Sequence, residues 1–170
     1  MIELNTTNAE ETLALGQWIG RRLPVPAVVG LDGDLGTGKT WMAKGLVRGI
    51  GDYEDAFVKS PAYNLIHEYR IATATQTVSI FHIDFYRLDT LSDTDYLLFS
   101  EYLERPDAIC LVEWASKFLK LLVPGYLSLT LSLCGLADPT CRTVHATTVG
   151  ATDAYDTLLT ALPHYAHANP

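Results

Sequence analysis

The sequence predicts a three-layer α/β domain with a mixed, mainly parallel sheet and a C-terminal antiparallel hairpin. Three observations carry that expectation. Apolar runs of strand length, at 27–31 (AVVGL), 78–84 (VSIFHID) and 108–113 (AICLVE), are interleaved with stretches of helical periodicity, the pattern of a sheet covered by helices. The segments 126–134 (YLSLTLSLC) and 140–149 alternate large apolar with small polar residues instead, as half-solvated strands do, and Asp138-Pro139 supplies turn chemistry between them. A chain of 170 residues, 48 % hydrophobic and 19 % charged, suits a single core and is not a disordered composition.

In chain order, residues 1–4 read as a short edge strand. Thr7 and Glu10 have the spacing of a capping box, and Leu15, Ile19 and Leu23, with Trp18, give the helix that follows one buried stripe, which Pro24 and Pro26 end. The strand at 27–31 runs into Gly-rich sequence, and a helix is expected over 41–50, stopping near Gly49 and Gly51. Residues 90–103 are acidic and partly helical, and a closing helix is expected over 154–162. The organisation is one domain, 1–162, with a flexible tail at 163–170.

Composition excludes several classes of function. The net charge of −8 and the absence of a basic stripe argue against a protein that grips nucleic acid directly, because phosphate neutralisation supplies most of such affinity. No apolar run approaches the roughly 20 residues of a membrane helix, and the N-terminus lacks the basic and apolar regions of a signal peptide, so a cytoplasmic protein is expected. Cys110, Cys134 and Cys141 are odd in number and lack a CxxC spacing; they suggest neither a disulfide framework nor a zinc site.

Gly33, Asp34, Leu35, Gly36, Thr37, Gly38, Lys39 and Thr40 match G-x-x-x-x-G-K-[ST] in full. A chance match in a chain of this length has a probability of roughly half a per cent, given ordinary Gly frequency. The strand before the motif and the helix after it are the context a phosphate loop requires. Gly36 and Gly38 let the backbone curl so that successive N–H groups face phosphate, and the helix N-terminus adds its positive end. Lys39 supplies a point charge to the β- and γ-phosphates, and the Thr40 hydroxyl suits Mg²⁺. The expected fold is therefore P-loop NTPase-like, and the expected cofactors are ATP or ADP with Mg²⁺.

Such a site needs a carboxylate at a neighbouring strand end. Asp84 and Glu113 both qualify, on strands expected beside 27–31, and the sequence leaves open which touches Mg²⁺ and which orients the attacking water. His82 reads as a satisfied core residue, Arg87 as a salt-bridge partner of Asp84 or Asp89, and Tyr63, Tyr69, Phe85 and Tyr86 as packing residues.

Four blocks, GDLGTGKT (33–40), VKSPAYNLIHEY (58–69), HIDFYRL (82–88) and ICLVEW (109–114), together resemble the TsaE (YjeE) family, over roughly 4–149. The resemblance implies a small P-loop ATPase of tRNA threonylcarbamoyl-adenosine synthesis that hydrolyses ATP weakly alone and works by docking on a TsaB–TsaD complex. It implies Thr40 and Glu113 as direct Mg²⁺ ligands and Asp84 as the Walker-B-like acid supporting metal or water. It further implies nucleotide contacts from the backbone N–H of Trp41, from Ser116 and from Arg142, the only arginine in the C-terminal hairpin. Three residues depart from the family: Ala62 stands where Thr is usual after Ser60-Pro61, Trp41 replaces a small hydroxyl residue, and Ala115 replaces a Pro.

Two other functions compete. A small-molecule kinase needs an acceptor pocket and usually an Arg-rich lid, but Arg21, Arg22, Arg48, Arg70, Arg87, Arg105 and Arg142 form no such cluster in sequence. A nucleotide-dependent docking module without meaningful turnover is the third class, and Ala62 keeps it open.

Overall fold

The computed structural model describes residues 1–51, 58–73, 76–135, 139–150 and 153–168. Seven strands form one sheet: β1 (Ile2–Thr6), β2 (Ala27–Asp32), β3 (Ile66–Ala72), β4 (Thr77–Asp84), β5 (Ala108–Glu113), β6 (Gly125–Leu133) and β7 (Arg142–Gly150). Helices α1 (Ala9–Gly20), α2 (Lys39–Ile50), α3 (Asp93–Leu103), α4 (Leu119–Leu122) and α5 (Asp156–Ala168) complete the fold. The strand order is β1-β7-β6-β2-β5-β4-β3. β2 runs parallel to β5 and β6, and β4 parallel to β5, whereas the β1–β7, β6–β7 and β3–β4 pairs are antiparallel.

Period-two alternation sorts the side chains into two layers. Val29 and Leu31 of β2, Ile80 of β4, Leu111 of β5 and Leu129 of β6 pack with Leu15 and Ile19 of α1, Met42 and Leu46 of α2, and Leu158 and Leu162 of α5. Phe81 and Ile83 of β4 and Cys110 and Val112 of β5 face the other way, against Phe99 and Leu103 of α3 and Leu119 and Leu122 of α4. Every residue of β5 is buried, which is why it reads as an unbroken apolar run.

α1 and α2 meet unusually closely, and glycines permit it. A Cβ added at Gly45 would lie 2.2 Å from the Leu13 carbonyl oxygen, and one at Gly20 would lie 2.2 Å from that of Leu46. Gly16 and Gly49 face the opposite helix in the same way. The spacing of four in both helices presents one small-residue stripe to the other, and this contact seats the helix that begins at Lys39.

Several expectations are corrected. The α1 N-cap is Asn8, whose side chain accepts from the Glu11 N–H at 2.8 Å while the Glu11 carboxylate takes the Thr7 N–H at 2.7 Å. The cap thus sits one residue later than Thr7, and Glu11, not Glu10, is the acid that reaches back, to the residue before the cap, because Asn8 has the extended backbone a cap needs. β3 has no counterpart among the expected strands; it pairs β4 from Ile66↔Ile83 to Ala72↔Thr77. α5 continues past Leu162 into the expected tail, with Pro163 inside it, and Tyr165 packs against Trp18 with the rings tilted and their centroids 5.5 Å apart. The turn residue Asp138 lies outside the described residues.

Cys134 and Cys141, not expected to pair, form a disulfide. The β6–β7 ladder ends at Leu133↔Arg142, which places the next residues opposite one another with a Cα separation of 5.4 Å. Cys110 is buried and unpaired, and burial pushes its thiol up to about 12. Iodoacetamide at pH 8 should therefore leave the folded protein unlabelled. Denaturation alone should expose one reactive cysteine, and denaturation with reductant three, by intact mass. Labelling of the native protein would contradict this arrangement.

Candidate functional site

β2 ends at Asp32, and the loop to α2 turns through three glycines, Gly33, Gly36 and Gly38, whose conformations other residues rarely adopt. Gly33 has φ 129°, and a Cβ there would meet the Leu131 carbonyl oxygen at 2.1 Å; Gly38, the residue capping α2, has φ 102°. The loop and the ends of β4 and β5 enclose a cavity of about 430 Å³. Its wall includes Leu35, Gly36, Gly38, Lys39, Thr40, Trp41, Asp84, Glu113 and Arg142 from the expected site, and adds Ser60, Ala62, Tyr86 and Trp114. Gly33, Asp34 and Thr37 build the loop without lining the cavity: Thr37 is buried, and its hydroxyl donates to the Asp34 carbonyl at 2.9 Å. Ser116 lies outside the wall, with its N–H donating to Asp32 Oδ1 at 2.9 Å.

Lys39 Nζ donates to the carbonyls of Gly33 at 2.6 Å and Asp34 at 2.9 Å, and lies 4.4 Å from the centre of the Trp114 ring. Burial pushes its ammonium below the ordinary lysine range, opposed by the charges of Glu113, Asp84, Asp32 and Asp34. An ammonium has three donors, so the loop is already organised around a positive centre.

The two acids lie side by side. β4 and β5 register so that Asp84 pairs with Glu113, and β5, not β4, is the direct neighbour of β2. Asp84 is therefore one strand further from the loop than expected, and the parallel β5 between them brings both carboxylates to one end of the sheet. Asp84 Oδ2 accepts from the Ser60 hydroxyl at 2.5 Å and Oδ1 from the Tyr86 N–H at 2.8 Å. Glu113 Oε1 lies 2.9 Å from His82 Nε2, with both side chains buried.

Trp114, immediately after Glu113, has φ 58°, a conformation that bulky residues seldom take. Its N–H donates to the Leu31 carbonyl at 2.8 Å, extending the β2–β5 pairing, and its ring lies 5.1 Å from that of Tyr86. Arg87 makes no ion pair with Asp84 or Asp89; its guanidinium stacks on Tyr63 at 4.0 Å. Tyr63 is 82 % exposed, so it is not the packing residue expected, whereas Tyr69 and Phe85 are buried.

A sequence model of one family, the threonylcarbamoyl adenosine biosynthesis protein TsaE, matches residues 6–137. This chain belongs to the TsaE family. Its relatives include the tRNA threonylcarbamoyladenosine biosynthesis protein TsaE of Haemophilus influenzae, 41 % identical over 90 residues, covering 53 % of this chain and 52 % of that one. The protein of the same name from Treponema pallidum is 33 % identical over 131 residues, covering 77 % and 90 %. The chain thus spans about half the length of the first of these relatives and most of the second. The crystal structure of YdiB from Bacillus subtilis superposes with a TM-score of 0.73 at 27 % identity, covering 96 % of this chain and 95 % of the other. The mixed seven-stranded sheet with a parallel core and a C-terminal antiparallel hairpin is the fold of this TsaE-family chain. Among the described residues no helix is long and apolar enough to cross a membrane.

Proposed function

We propose that the chain is a Mg²⁺-dependent ATP-binding and ATP-hydrolysing subunit that serves threonylcarbamoyl-adenosine formation on tRNA by docking on a TsaB–TsaD complex in the cytoplasm. The observation that carries the biochemical part is the convergence of the phosphate loop, Asp84 and Glu113 on one cavity. Family membership supports the pathway.

Among the described residues no cluster of three or more His, Cys, Asp or Glu side chains could hold a metal alone. The donors at the cavity are hard oxygens, from Thr40, Asp84 and Glu113. That set fits Mg²⁺, which takes one or two carboxylates and completes its shell with water and substrate phosphate. When bound, Mg²⁺ would neutralise charge developing on the phosphate oxygens. The loop amides and the α2 N-terminus hold the phosphates in place, and Lys39 exchanges its carbonyl partners for phosphate oxygens. Both oxygens of Asp84 already accept hydrogen bonds, which suits a carboxylate that orients water or supports a neighbour. No hydrogen bond among the described residues reaches Glu113 Oε2, which suits direct ligation.

Accordingly, Glu113→Ala should weaken Mg²⁺-dependent ATP binding, whereas Asp84→Ala should lower turnover more than affinity, roughly 100-fold against a few-fold. Calorimetric titration and phosphate release measure the two quantities. The reverse pattern would exchange the roles of the two acids.

A chain of net charge −8 should not bind tRNA appreciably by itself at physiological salt. Nucleotide can strengthen docking only by binding the docked form more tightly than the free form. Ala62 lies in the cavity wall without a hydroxyl to sense phosphate, so Ala62→Thr should widen the difference in TsaB–TsaD affinity between an ATP analogue and ADP. Titration of both proteins against the complex in each nucleotide state tests this. Failure to bind the complex in any state, alongside tight direct tRNA binding, would overturn the proposal.

A further inference from the structure

We infer, resting on the Mg²⁺–ATP reading above, that His82 is a positioning residue for the site: its Nε2–H holds Glu113 Oε1 so that the other carboxylate oxygen is presented to the cavity in a fixed place. His82 is fully buried, and Glu113 is 3 % exposed. Both belong to the face of the sheet against which α1 and α2 pack, where Val78, Ile80, Ile109 and Leu111 precede them as apolar residues and Asp84 follows at the cavity end of β4.

His82 pairs with Leu111 in the β4–β5 register, two residues before the Asp84↔Glu113 pair, so its ring reaches Glu113 diagonally across two strands. The 2.9 Å contact is the single hydrogen bond that the described residues give the imidazole; Nδ1 is buried without a partner. A core filler at this position would be better served by Leu or Phe, since an unsatisfied buried polar atom is costly. One bond directed at one carboxylate, with the second nitrogen left unsatisfied, marks a residue placed for that carboxylate. With Nε2 as the donor, Nδ1 presents a lone pair and not a stranded N–H.

Glu113 has three rotatable side-chain bonds, and it stands where the sheet opens into the cavity. Fixing Oε1 removes most of that freedom before any ligand arrives, leaving Oε2 preorganised. Removing a group that orients a metal-binding side chain in this way typically changes metal affinity about 10-fold to 100-fold. His82 does not line the cavity; it acts through Glu113.

The test compares two amides of equal polarity and different reach. In His82→Gln the side-chain nitrogen stands near the place of Nε2 and can donate to Glu113, whereas in His82→Asn the shorter side chain leaves it out of reach. Both variants, with the wild type, are titrated with ATP in Mg²⁺ and with ATP in EDTA, and melted without ligand. The expected result is that all three bind ATP equally in EDTA. His82→Asn should lose about 10-fold of the affinity gained from Mg²⁺, and His82→Gln should keep it within about threefold. A full Mg²⁺ gain in His82→Asn, or an equal loss in both variants, would overturn the inference and leave His82 as packing. Should His82→Asn not fold, His82→Phe takes its place with the same two outcomes. A wild type showing no Mg²⁺ gain would overturn the Mg²⁺–ATP reading itself, and the inference with it.

Discussion

Replacing Lys39 by alanine should remove most of the thermal stabilisation that Mg²⁺ and ATP give the wild type. A ligand at 100 times its dissociation constant stabilises the folded state by about 2.7 kcal/mol. For a domain of this size that corresponds to a rise in melting temperature of roughly 5–10 °C. The side chain places the only lysine ammonium in the cavity wall among the described residues, and its present partners are two carbonyls of its own loop. Those bonds are exchangeable, which is what a phosphate ligand requires. In the absence of ligand the variant loses two hydrogen bonds and also the desolvation cost that pushes the ammonium below its usual range, so its own melting temperature should change little. Equal ligand-induced shifts in both proteins would refute the phosphate-loop assignment.

The largest effect on stability is expected at the contact between α1 and α2. In Gly45→Ala the new methyl group would sit 2.2 Å from the Leu13 carbonyl oxygen, a backbone atom that cannot rotate away. The helices must separate, at a cost of about 1–3 kcal/mol or more for overpacking. Alanine recovers up to about 1 kcal/mol through its helix propensity, so the net change is a loss, seen as a fall of several degrees in melting temperature. Because α2 starts at Lys39, nucleotide affinity should fall as well. Gly135→Ala is the control: no atom among the described residues lies within 4 Å of a Cβ there, and stability should hold. A Gly45→Ala protein as stable as wild type would mean the helices are not packed this closely.

What can be read in the sequence is local, and what cannot is contact across the fold. The phosphate loop is a contiguous motif whose residue types state their own chemistry, so Lys39 and Thr40 are legible at once. Asp84 and Glu113 are legible because each ends an apolar run. Their adjacency is not, because β4 neighbours β5 and not β2, and strand order is set by packing. β3 is hidden by its polar composition: His67, Glu68 and Arg70 are tolerated on a strand at the sheet edge.

The bond from His82 to Glu113 spans 31 residues, and no spacing rule connects them. The disulfide escapes a count of cysteines because such a count ignores the hairpin register that brings Cys134 opposite Cys141. Charge alone assigns Arg87 to carboxylates, yet both oxygens of Asp84 are taken by Ser60 and Tyr86, leaving the guanidinium to an aromatic face. The glycines at 16, 20, 45 and 49 are visible in the sequence, but their four-residue spacing gains meaning only once the two helices are known to touch.

Phosphate release from ATP by the isolated chain, with and without the TsaB–TsaD complex and without any added acceptor, tests the central claim most directly. The predicted result is slow release by the chain alone, faster release with the complex, and loss of both in Glu113→Ala. Turnover unchanged by the complex, or appearing only when a small-molecule acceptor is supplied, would contradict it.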